Sequence, residues 1–213
     1  MSNKLKKIST SFQQWLLLIV GIAFIVTLVF LGQYQTKLFT DSANNRINIY
    51  IKDVRHDIMD VTDKNLLILT RAVATEVNNA DKITSELLTG MLEKYNVSEI
   101  NYFSSTGVIL ASSNADFVGY DIGRGGVQAS EFWALLGAIT EYVQRFQPIG
   151  FDAQKSRKYA GVTLAAGGFI QVGYDEEAYY RAIEVAINEV VKNRHVGESG
   201  FLIVTDSAWR IIS

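Results

Sequence analysis

The sequence predicts an α+β fold in which a transmembrane helix and a long extracytoplasmic helix precede a five-stranded antiparallel sheet covered by helices. Three observations support this prediction. Residues 13–33 are uncharged and mostly apolar. Residues 34–79 contain no glycine or proline and repeat apolar side chains with a helical period. Between Ile100 and Tyr174 the apolar period changes to two, and turn residues separate the short segments.

The first expected element is a transmembrane signal anchor at residues 13–33, preceded by a cytoplasmic tail at residues 1–12. No charged residue lies between Lys7 and Lys37. A bilayer core about 30 Å thick requires roughly 20 apolar residues in a helix. The alternative, a cleaved signal peptide, has an apolar region of about 7–15 residues followed by a site of small residues. Here the apolar run is longer and no such site follows, which favours an uncleaved anchor.

The charges that flank this segment predict its orientation. Three lysines precede it, whereas Lys37 and Asp41 nearly cancel on its other side. Because an excess of positive charge marks the cytoplasmic side of a membrane helix, we expect the N-terminus in the cytoplasm. Residues 34–213 are then expected outside the cell membrane.

Composition limits the classes of function. The chain has 213 residues, a net charge of -2 and no cysteine. This charge balance gives no reason to expect a nucleic-acid partner. Without disulfides, an extracytoplasmic domain must be held together by its apolar core. The absence of cysteine also removes thiolate metal sites and cysteine nucleophiles, and no cofactor or metal is expected.

Residues 34–79 are predicted to form a long stalk helix. An apolar seam recurs along it at alternating spacings of four and three residues, formed by Ile47, Ile51, Val54, Ile58, Val61, Asn65, Ile68 and Ala72. Such a seam is typical of a helix that packs on its own domain and of one that pairs with a second subunit. Both interpretations remain open at this point, and the second predicts a homodimer.

Residues 80–193 are predicted to form the folded domain beyond the stalk. Three helices are expected, at 81–95 with Asp81 as its N-cap, at 128–136 and at 175–193. Five strands are expected, at 100–103, 108–112, 141–147, 157–165 and 169–174. A Gly-rich loop at 113–127 connects the second strand to the short helix. This order predicts one antiparallel sheet with helices on it.

The C-terminal segment repeats the pattern of the first expected hairpin. INYFSSTGVILAS at 100–112 and FLIVTDSAWRIIS at 201–213 both contain an apolar strand, a polar turn and an apolar strand that ends in serine. The repeat predicts a second copy of the sheet. Because a lone hairpin is marginal in water, we interpret residues 194–213 as the truncated start of a second subdomain. Further chain with a second membrane span is expected downstream.

A membrane span, a long helix and two successive sheets of this kind resemble the double Cache, or PAS-like, extracytoplasmic sensor regions of bacterial membrane signalling proteins. YVQRFQPIGFDAQKSRKYAGVTLAAGGFIQVGYD at 142–175 and RHVGESGFLIVTD at 194–206 are similar to the regions that precede SpoIIE-like phosphatase domains. GGVQASEF at 125–132 is similar to a Gly-x-Gln-Ser-x-Glu-Phe stretch of those regions, with Ala129 and Ser130 shifted. The resemblance implies a PAS/Cache-like fold, a small-molecule ligand between the sheet and its loops, and an effector domain outside this chain.

The resemblance does not specify the effector or the ligand. Related Cache regions also precede histidine kinases, diguanylate cyclases and chemoreceptor signalling domains. The amino-acid-binding signature of the family, Arg-x-Trp-Tyr, is missing here, since the local sequence is EFWA at 131–134. An amino-acid ligand is therefore not expected.

Side chains alternate between the two faces of a strand. In the last strands this alternation puts polar and aromatic side chains on a face that would be aliphatic if it were only covered by helices. This pattern predicts a polar ligand pocket over the strands, with the loop at 117–126 and Trp133 as its lid. The expected ligand-binding residues are Trp133, Tyr142, Gln144, Arg145, Tyr159, Gln171, Tyr174 and Asp175. The alternative is that the glutamines lie on a solvated face.

No catalytic constellation is evident in the sequence. His56 lies in an Arg-His-Asp segment, but the Pro that a kinase phospho-acceptor box carries five residues later is Val61. GRGG at 123–126 lacks the Gly-Lys-Ser/Thr of a P-loop, and GESG at 197–200 is not a nucleophile elbow. We therefore predict a non-enzymatic sensory input module. A membrane-anchored extracytoplasmic hydrolase and a structural or adhesion stalk are the alternatives.

Overall fold

The computed structural model describes the backbone of residues 2–124, 126–150, 152–192, 194–196, 200–206 and 208–211, and side chains from Phe12 onward. The chain divides into two compact units, Met1–Asp53 and Val54–Ser213. Gly125 of the GGVQASEF segment and Asn193 at the expected end of the sensor domain lie outside the described residues.

Helix α1 spans Ser2–Asn78 and accounts for the whole described part of the first unit. It contains a segment near the N-terminus, from Phe12 onward, that is long and apolar enough to cross a membrane, with a mean hydropathy of 2.8 over its most apolar window. Within this segment the Thr27 hydroxyl donates to the carbonyl of Ala23 at 2.8 Å. This polar group is thus satisfied inside the helix, as a lipid environment requires.

In the second unit, α1 buries one face against the domain. The fully buried positions recur every three or four residues, namely Thr62, Leu66, Thr70, Val73 and Val77. The Thr70 hydroxyl donates to the carbonyl of Leu66 at 2.7 Å, which satisfies it inside the core. The expected seam lies on a neighbouring stripe, where Asn65 is half-buried and Ile68 is 57% exposed. The helix continues through Asn65 without a break.

Helix α2 spans Ser85–Tyr95 and starts later than expected. The predicted N-cap, Asp81, is wrong: the hydroxyl oxygen of Thr84 accepts from the amide of Leu87 and caps the helix. Thr84 adopts the extended backbone that an N-cap needs. Asn96 ends the helix in the left-handed conformation.

The sheet is antiparallel throughout, which confirms the predicted fold class. Its strands are β1 (Glu99–Phe103), β2 (Ile109–Ser112), β3 (Glu141–Val143), β4 (Gln147–Pro148), β5 (Ser156–Thr163) and β6 (Phe169–Tyr174). They lie in the order β2-β1-β6-β5-β3, and β4 also pairs with β5. The single strand expected at 141–147 is wrong, because β3 ends at Val143 and β4 starts at Gln147. The backbone N–H of Gln144 still donates to the Tyr159 carbonyl at 2.8 Å.

Alternation along the strands gives the sheet two faces with different coverings. In β6, Ile170, Val172 and Tyr174 join the core formed with α1 and α2, whereas Phe169 belongs to a second core. Helix α4, Glu176–Lys192, packs on the same face as α1 and α2 through Ala178 and Tyr179. We call this side the helix face and the opposite side the lid face.

The lid face is covered by residues 115–124 and 126–136, which we call the lid. It contains α3 (Gly126–Ser130) and three 3₁₀ helices, at Ala115–Phe117, Ile122–Arg124 and Glu131–Leu136. The helix expected at 128–136 is thus split between α3 and a 3₁₀ turn. Phe132 anchors the lid, since it is fully buried and its ring stacks on Phe169 at 6.1 Å.

The C-terminal segment forms only short pairings. Strand β7 (His195–Val196) pairs with β8 (Gly200–Phe201), and Thr205 forms an isolated bridge with Ile211. The repeat had predicted a hairpin over 201–213, and of this only the reversal between Thr205 and Ile211 is seen. Residues 197–199, 207, 212 and 213 lie outside the described part of the chain.

Candidate functional site

A cavity lies between the lid face of the sheet and the lid. Its lining residues come from β1, β2, β5, β6, the lid and the segment after β4, and are Glu99, Asn101, Phe103, Ile109, Phe117, Tyr120, Ile122, Gln128, Ala129, Ile149, Tyr159 and Gln171. The centre of a water molecule can occupy about 40 Å³ of this cavity. One water needs roughly 10–15 Å³ on this measure, so this space has room for about three atoms or small groups of that size.

A buried polar network forms the floor of this cavity. Its centre is Asn101, which is 1% exposed and lies opposite Gln171 in the β1–β6 ladder. The Asn101 side-chain nitrogen donates to Glu99 Oε1 at 2.6 Å and to Gln171 Oε1 at 3.1 Å. The Ser112 hydroxyl donates to Asn101 Oδ1 at 2.5 Å. These bonds use both donors of the Asn101 amide and hold its neighbours in place.

Glu99 is the acidic member of the network and is 3% exposed. The Tyr159 hydroxyl donates to its Oε1 at 2.8 Å, while Oε2 lies 3.8 Å from Arg157 Nε. Burial raises the pKa of Glu99, although the bonds from Asn101 and Tyr159 and the charge of Arg157 act in the opposite direction. Burial, together with the neighbouring Glu99, also raises the pKa of Tyr159 well above its ordinary range.

Gln171 contributes hydrogen-bonding capacity that the described residues do not use. The residue is 6% exposed and lines the cavity. Its Oε1 accepts from Asn101, but its amide nitrogen donates no hydrogen bond to any group in the described part of the chain. This nitrogen is not one of the buried side-chain atoms that lack a partner in the described residues, so it faces the space of the cavity rather than packed protein. Gln171 therefore offers a donor to a molecule inside the cavity.

The lid is fastened to the sheet by a pair of glutamines, which we call the latch. Gln144 follows β3 and is fully buried, and Gln128 lies in α3. Gln128 Nε2 donates to Gln144 Oε1 at 2.7 Å, and Gln144 Nε2 donates to the Gln128 carbonyl at 2.8 Å. Gln128 Oε1 accepts from the amide of Gly150 at 2.9 Å. Because Gln128 also lines the cavity, the latch connects the cavity wall to the sheet.

Glu131 extends the latch into the second half of the lid. Its Oε2 accepts from Gln144 Nε2 at 2.8 Å and from the Tyr142 hydroxyl at 2.9 Å. Burial alone would raise the pKa of Glu131, but the hydrogen bonds from Gln144, Gln147 and Tyr142 lower it overall. Burial and the bond to Glu131 raise the pKa of Tyr142 to about 12. Glu131 is therefore a charged acceptor that holds the lid.

The structure places the expected ligand-binding residues in different environments. Tyr159 and Gln171 line the cavity, whereas Gln144 and Tyr142 bind the lid from beside it. The alternative that both glutamines lie on a solvated face is wrong, since Gln144 is fully buried and Gln171 is 6% exposed.

The other four expected residues do not line the cavity. Trp133 is 50% exposed and lies over Gly123 of the lid, and Arg145 is exposed. Tyr174 points to the helix face, and Asp175 caps α4 by accepting from the amide of Ala178 at 2.9 Å. Trp133 was expected as part of the lid, and the other three from their positions in or beside the strands. The alternation of the sheet places Tyr174 on the opposite side.

Sequence reasoning missed Glu99, Asn101 and Gln128. The strand was expected to start at Ile100, which excluded Glu99 from the pattern. Glu99, Asn101 and Phe103 alternate along β1 in the same way as Phe169, Gln171 and Gly173 along β6. Two polar residues at alternate positions of a central strand were the available signal. Gln128 had no comparable signal, because its role depends on how α3 folds back onto the sheet.

The opposite pKa shifts of Glu99 and Glu131 predict opposite responses of stability to pH. The ordinary glutamate value is 4.5. Because the pKa of Glu99 is raised, its contribution to stability is complete below about pH 4.5 and is lost as the pH rises through the raised value. Because the pKa of Glu131 is lowered, its contribution is present above about pH 4.5 and is lost as the pH falls.

We therefore expect Glu99→Gln to gain stability relative to the wild type as the pH rises from about 4.5 to 8. Glu131→Gln should lose stability relative to the wild type as the pH rises from about 3 to 5. Thermal unfolding of the three proteins in a series of buffers measures both differences. Parallel curves for the two variants would contradict the environments assigned to these carboxyl groups.

The cavity floor supplies hydrogen-bonding groups. Among the described residues, no group of three or more histidine, aspartate and glutamate side chains is arranged to hold a metal ion. The cavity floor consists of amide, hydroxyl and carboxyl groups engaged mostly with one another. Such an arrangement can present fixed donors and acceptors to a small molecule.

Comparison with known proteins gives structural likeness only. No protein-family profile and no curated protein matches the chain. An extracellular ligand binding receptor from Desulfohalobium retbaense superposes with a TM-score of 0.42 at 14% identity, covering 62% of this chain and 24% of that chain. The sensor domain of E. coli DcuS gives 0.43 at 13% identity, covering 59% of this chain and 97% of that chain. The sensor domain of the V. cholerae histidine kinase DctB gives 0.35 at 19% identity, covering 73% and 59% respectively. The chain thus spans about a quarter of the first of these proteins, and all three are similar to it only in part of the fold.

Proposed function

We propose that this chain is the extracytoplasmic ligand-sensing input module of a membrane signalling protein, and that the cavity under the lid is its ligand site. The observation that carries the proposal is the unused amide donor of Gln171 in a cavity between the sheet and a latched lid. A stable core does not need such a group, because an apolar side chain would fill the space without an unpaired donor. A bound molecule would pair with it.

The membrane context extends this proposal. Residues 1–12 form the cytoplasmic tail, 13–33 the anchor, 34–79 the stalk helix, 80–193 the sensor domain and 194–213 the start of a second subdomain. The apolar segment of α1 supports the anchor, and the three preceding lysines support a cytoplasmic N-terminus. Reporter fusions placed before and after the anchor test this orientation.

The finer assignment rests on the sequence segments alone. The region belongs to a double Cache arrangement of the kind found ahead of SpoIIE-like phosphatase domains in bacteria, with the effector outside this chain. The chain itself binds and does not catalyse. It functions as a homodimer through the exposed stripe of α1 that includes Ile68.

Two ion pairs support a route from the cavity to α1. Lys158 is 3% exposed, and its Nζ lies 2.6 Å from Asp63 Oδ1 of α1 and donates to the carbonyl of Gln144 at 3.1 Å. Arg71 of α1 forms two hydrogen bonds of 2.6 Å with Glu141 at the start of β3. The segment that holds the latch is thus also bound to α1. Suppose that the lid and α1 move together between two states. A ligand then shifts the equilibrium between these states only to the extent that its affinities for them differ.

A screen of small molecules tests the proposed ligand site. We expect compounds that raise the melting temperature of the full chain in detergent, and we expect Ala129→Phe to abolish the shift. Ala129 lines the cavity and is 5% exposed, so the added ring occupies the space. Ala153→Phe is the matched control, since Ala153 is exposed in a turn. Shifts of equal size in both variants would place the binding elsewhere, and no shift from any compound would count against the function.

A further inference from the structure

We propose that the cavity selects small, uncharged, planar ligands that carry a carbonyl acceptor beside an N–H donor, namely carboxamides or lactams, over carboxylates and organic cations. The inference rests on the proposed function, since it assigns a ligand class to that same cavity. It follows from the groups that remain free on the cavity floor, from the charges around them, and from the size and lining of the space.

The free groups form an adjacent donor and acceptor. Gln171 Nε2 has two hydrogens that no described group accepts, and Glu99 Oε2 receives no hydrogen bond from the described residues. Both side chains are held by the same nitrogen of Asn101, so they lie side by side on the floor. A carboxamide carries its carbonyl oxygen and its N–H group on the same carbon. One such molecule can therefore accept from Gln171 and donate to Glu99.

The charges favour a neutral ligand. Among the twelve lining residues there is no lysine, arginine or histidine, and Glu99 is the one acidic residue. A carboxylate ligand would approach Glu99 with no cation in the wall to balance it. Arg157 does not line the cavity, but its Nε lies 3.8 Å from Glu99 Oε2 and already balances the charge of Glu99. An organic cation would add a second positive charge to this pair, and burying an unbalanced charge is unfavourable.

The remaining walls restrict size and shape. Phe103, Phe117, Ile109 and Ile149 supply apolar surface around the polar floor. The centre of a water molecule can occupy about 40 Å³ of this space, which suits a ligand of a few heavy atoms. A larger lactam would require the lid to move at the latch between Gln128 and Gln144.

Three isosteric probes test the ligand class in the full chain reconstituted in nanodiscs. Acetamide, acetate and acetamidinium each have four heavy atoms in one plane, and they differ in charge and in their hydrogen-bond donors and acceptors. Binding is measured by ligand-detected saturation-transfer NMR with competition titrations. We expect acetamide to bind at least about tenfold more tightly than either charged probe. Gln171→Leu should weaken acetamide at least about tenfold, and Gln154→Leu, an exposed glutamine, should leave it unchanged.

Each other outcome overturns the assignment. Tighter binding of acetate or acetamidinium would show that the site takes a charged ligand, and the sensing function would stand. Equal binding of acetamide to the wild type and to Gln171→Leu would show that acetamide does not bind Gln171 on the cavity floor. If no probe binds while screened compounds stabilise the protein through Ala129, the ligand class is wrong and the site remains. If neither probes nor screened compounds bind, the proposed function fails as well. The three probes are ranked on the wild-type protein, so this comparison does not depend on whether any variant folds.

Discussion

Replacing Gly168 with alanine is expected to lower the free energy of unfolding by about 3 kcal/mol or more. Gly168 precedes β6 and has a φ of +74°, and an added Cβ would lie 2.0 Å from the Phe103 carbonyl oxygen. The left-handed conformation costs an L-residue roughly 1–2 kcal/mol. The contact with the backbone of β1 adds a further cost, because strand β1 cannot move away without losing its ladder with β6. Thermal or urea unfolding measures the difference.

Two other glycines provide matched controls for this substitution. Gly119 has a φ of +89° with no atom within 4 Å of an added Cβ, so Gly119→Ala should cost only the backbone strain, about 1–2 kcal/mol. Gly90 lies in the open face of α2, and Gly90→Ala should stabilise the protein by about 0.5–1 kcal/mol. If Gly168→Ala lowers the free energy of unfolding no more than Gly119→Ala does, the close contact inferred between Gly168 and the backbone of β1 is wrong.

Local patterns predicted the elements that alternate regularly. Strand β6 alternates polar or aromatic residues with aliphatic ones, and the structure separates Phe169 and Gln171 from Ile170 and Val172 as the pattern predicts. The turn at Ser104–Gly107 was also predictable, because Gly107 adopts a φ of +81° that suits glycine. In these segments neighbouring residues carry enough information to specify the conformation.

The strand expected at 141–147 failed for a tertiary reason. Strict alternation put Tyr142 and Phe146 on one face, but the Phe146 ring stacks on Tyr179 of α4 at 4.3 Å, on the helix face. The side chain of Gln144, between them, binds Gln128 and Glu131 of the lid, and the strand is interrupted before Gln147. A break of this kind depends on partners from distant segments, which a strand pattern does not contain.

The candidate site was predictable to the extent that it lies on the sheet. Tyr159 and Gln171 were identified from alternation, and Asn101 could have been identified in the same way from β1. The partners from the lid were not, since the pairing of Gln128 with Gln144 joins residues from α3 and from the break after β3. The choice of N-cap for α2 had the same limitation, because Asp81 and Thr84 are both suitable residue types.

Replacing Gln144 with leucine is expected to raise the rate of hydrogen exchange in the lid about 100-fold. Leucine keeps much of the buried volume but removes three side-chain hydrogen bonds, two with Gln128 and one with Glu131. The side-chain nitrogen and the carbonyl of Gln128 lose their partners and cost roughly 1–3 kcal/mol each while the lid stays closed, and opening lets water satisfy them. Glu131 keeps its bond from Tyr142. A net change of about 3 kcal/mol in the closed state corresponds to roughly a 100-fold increase in the open population.

Hydrogen exchange followed by mass spectrometry on peptides from residues 126–136 measures this opening. Gln147→Leu is the matched control, because the Gln147 amide makes only long bonds of 3.2 and 3.3 Å to Glu131, and its effect should stay below about threefold. Protection in β6 should remain close to that of the wild type, since the latch holds the lid and not the central ladder. Equal exchange in both variants, or a loss of protection spread evenly over lid and sheet, would show that Gln144 supports the whole fold instead of fastening the lid. Faster exchange in the lid alone would show that the latch controls lid opening. A ligand under the lid could then act through the latch on Gln144, whose carbonyl is connected to α1 by Lys158.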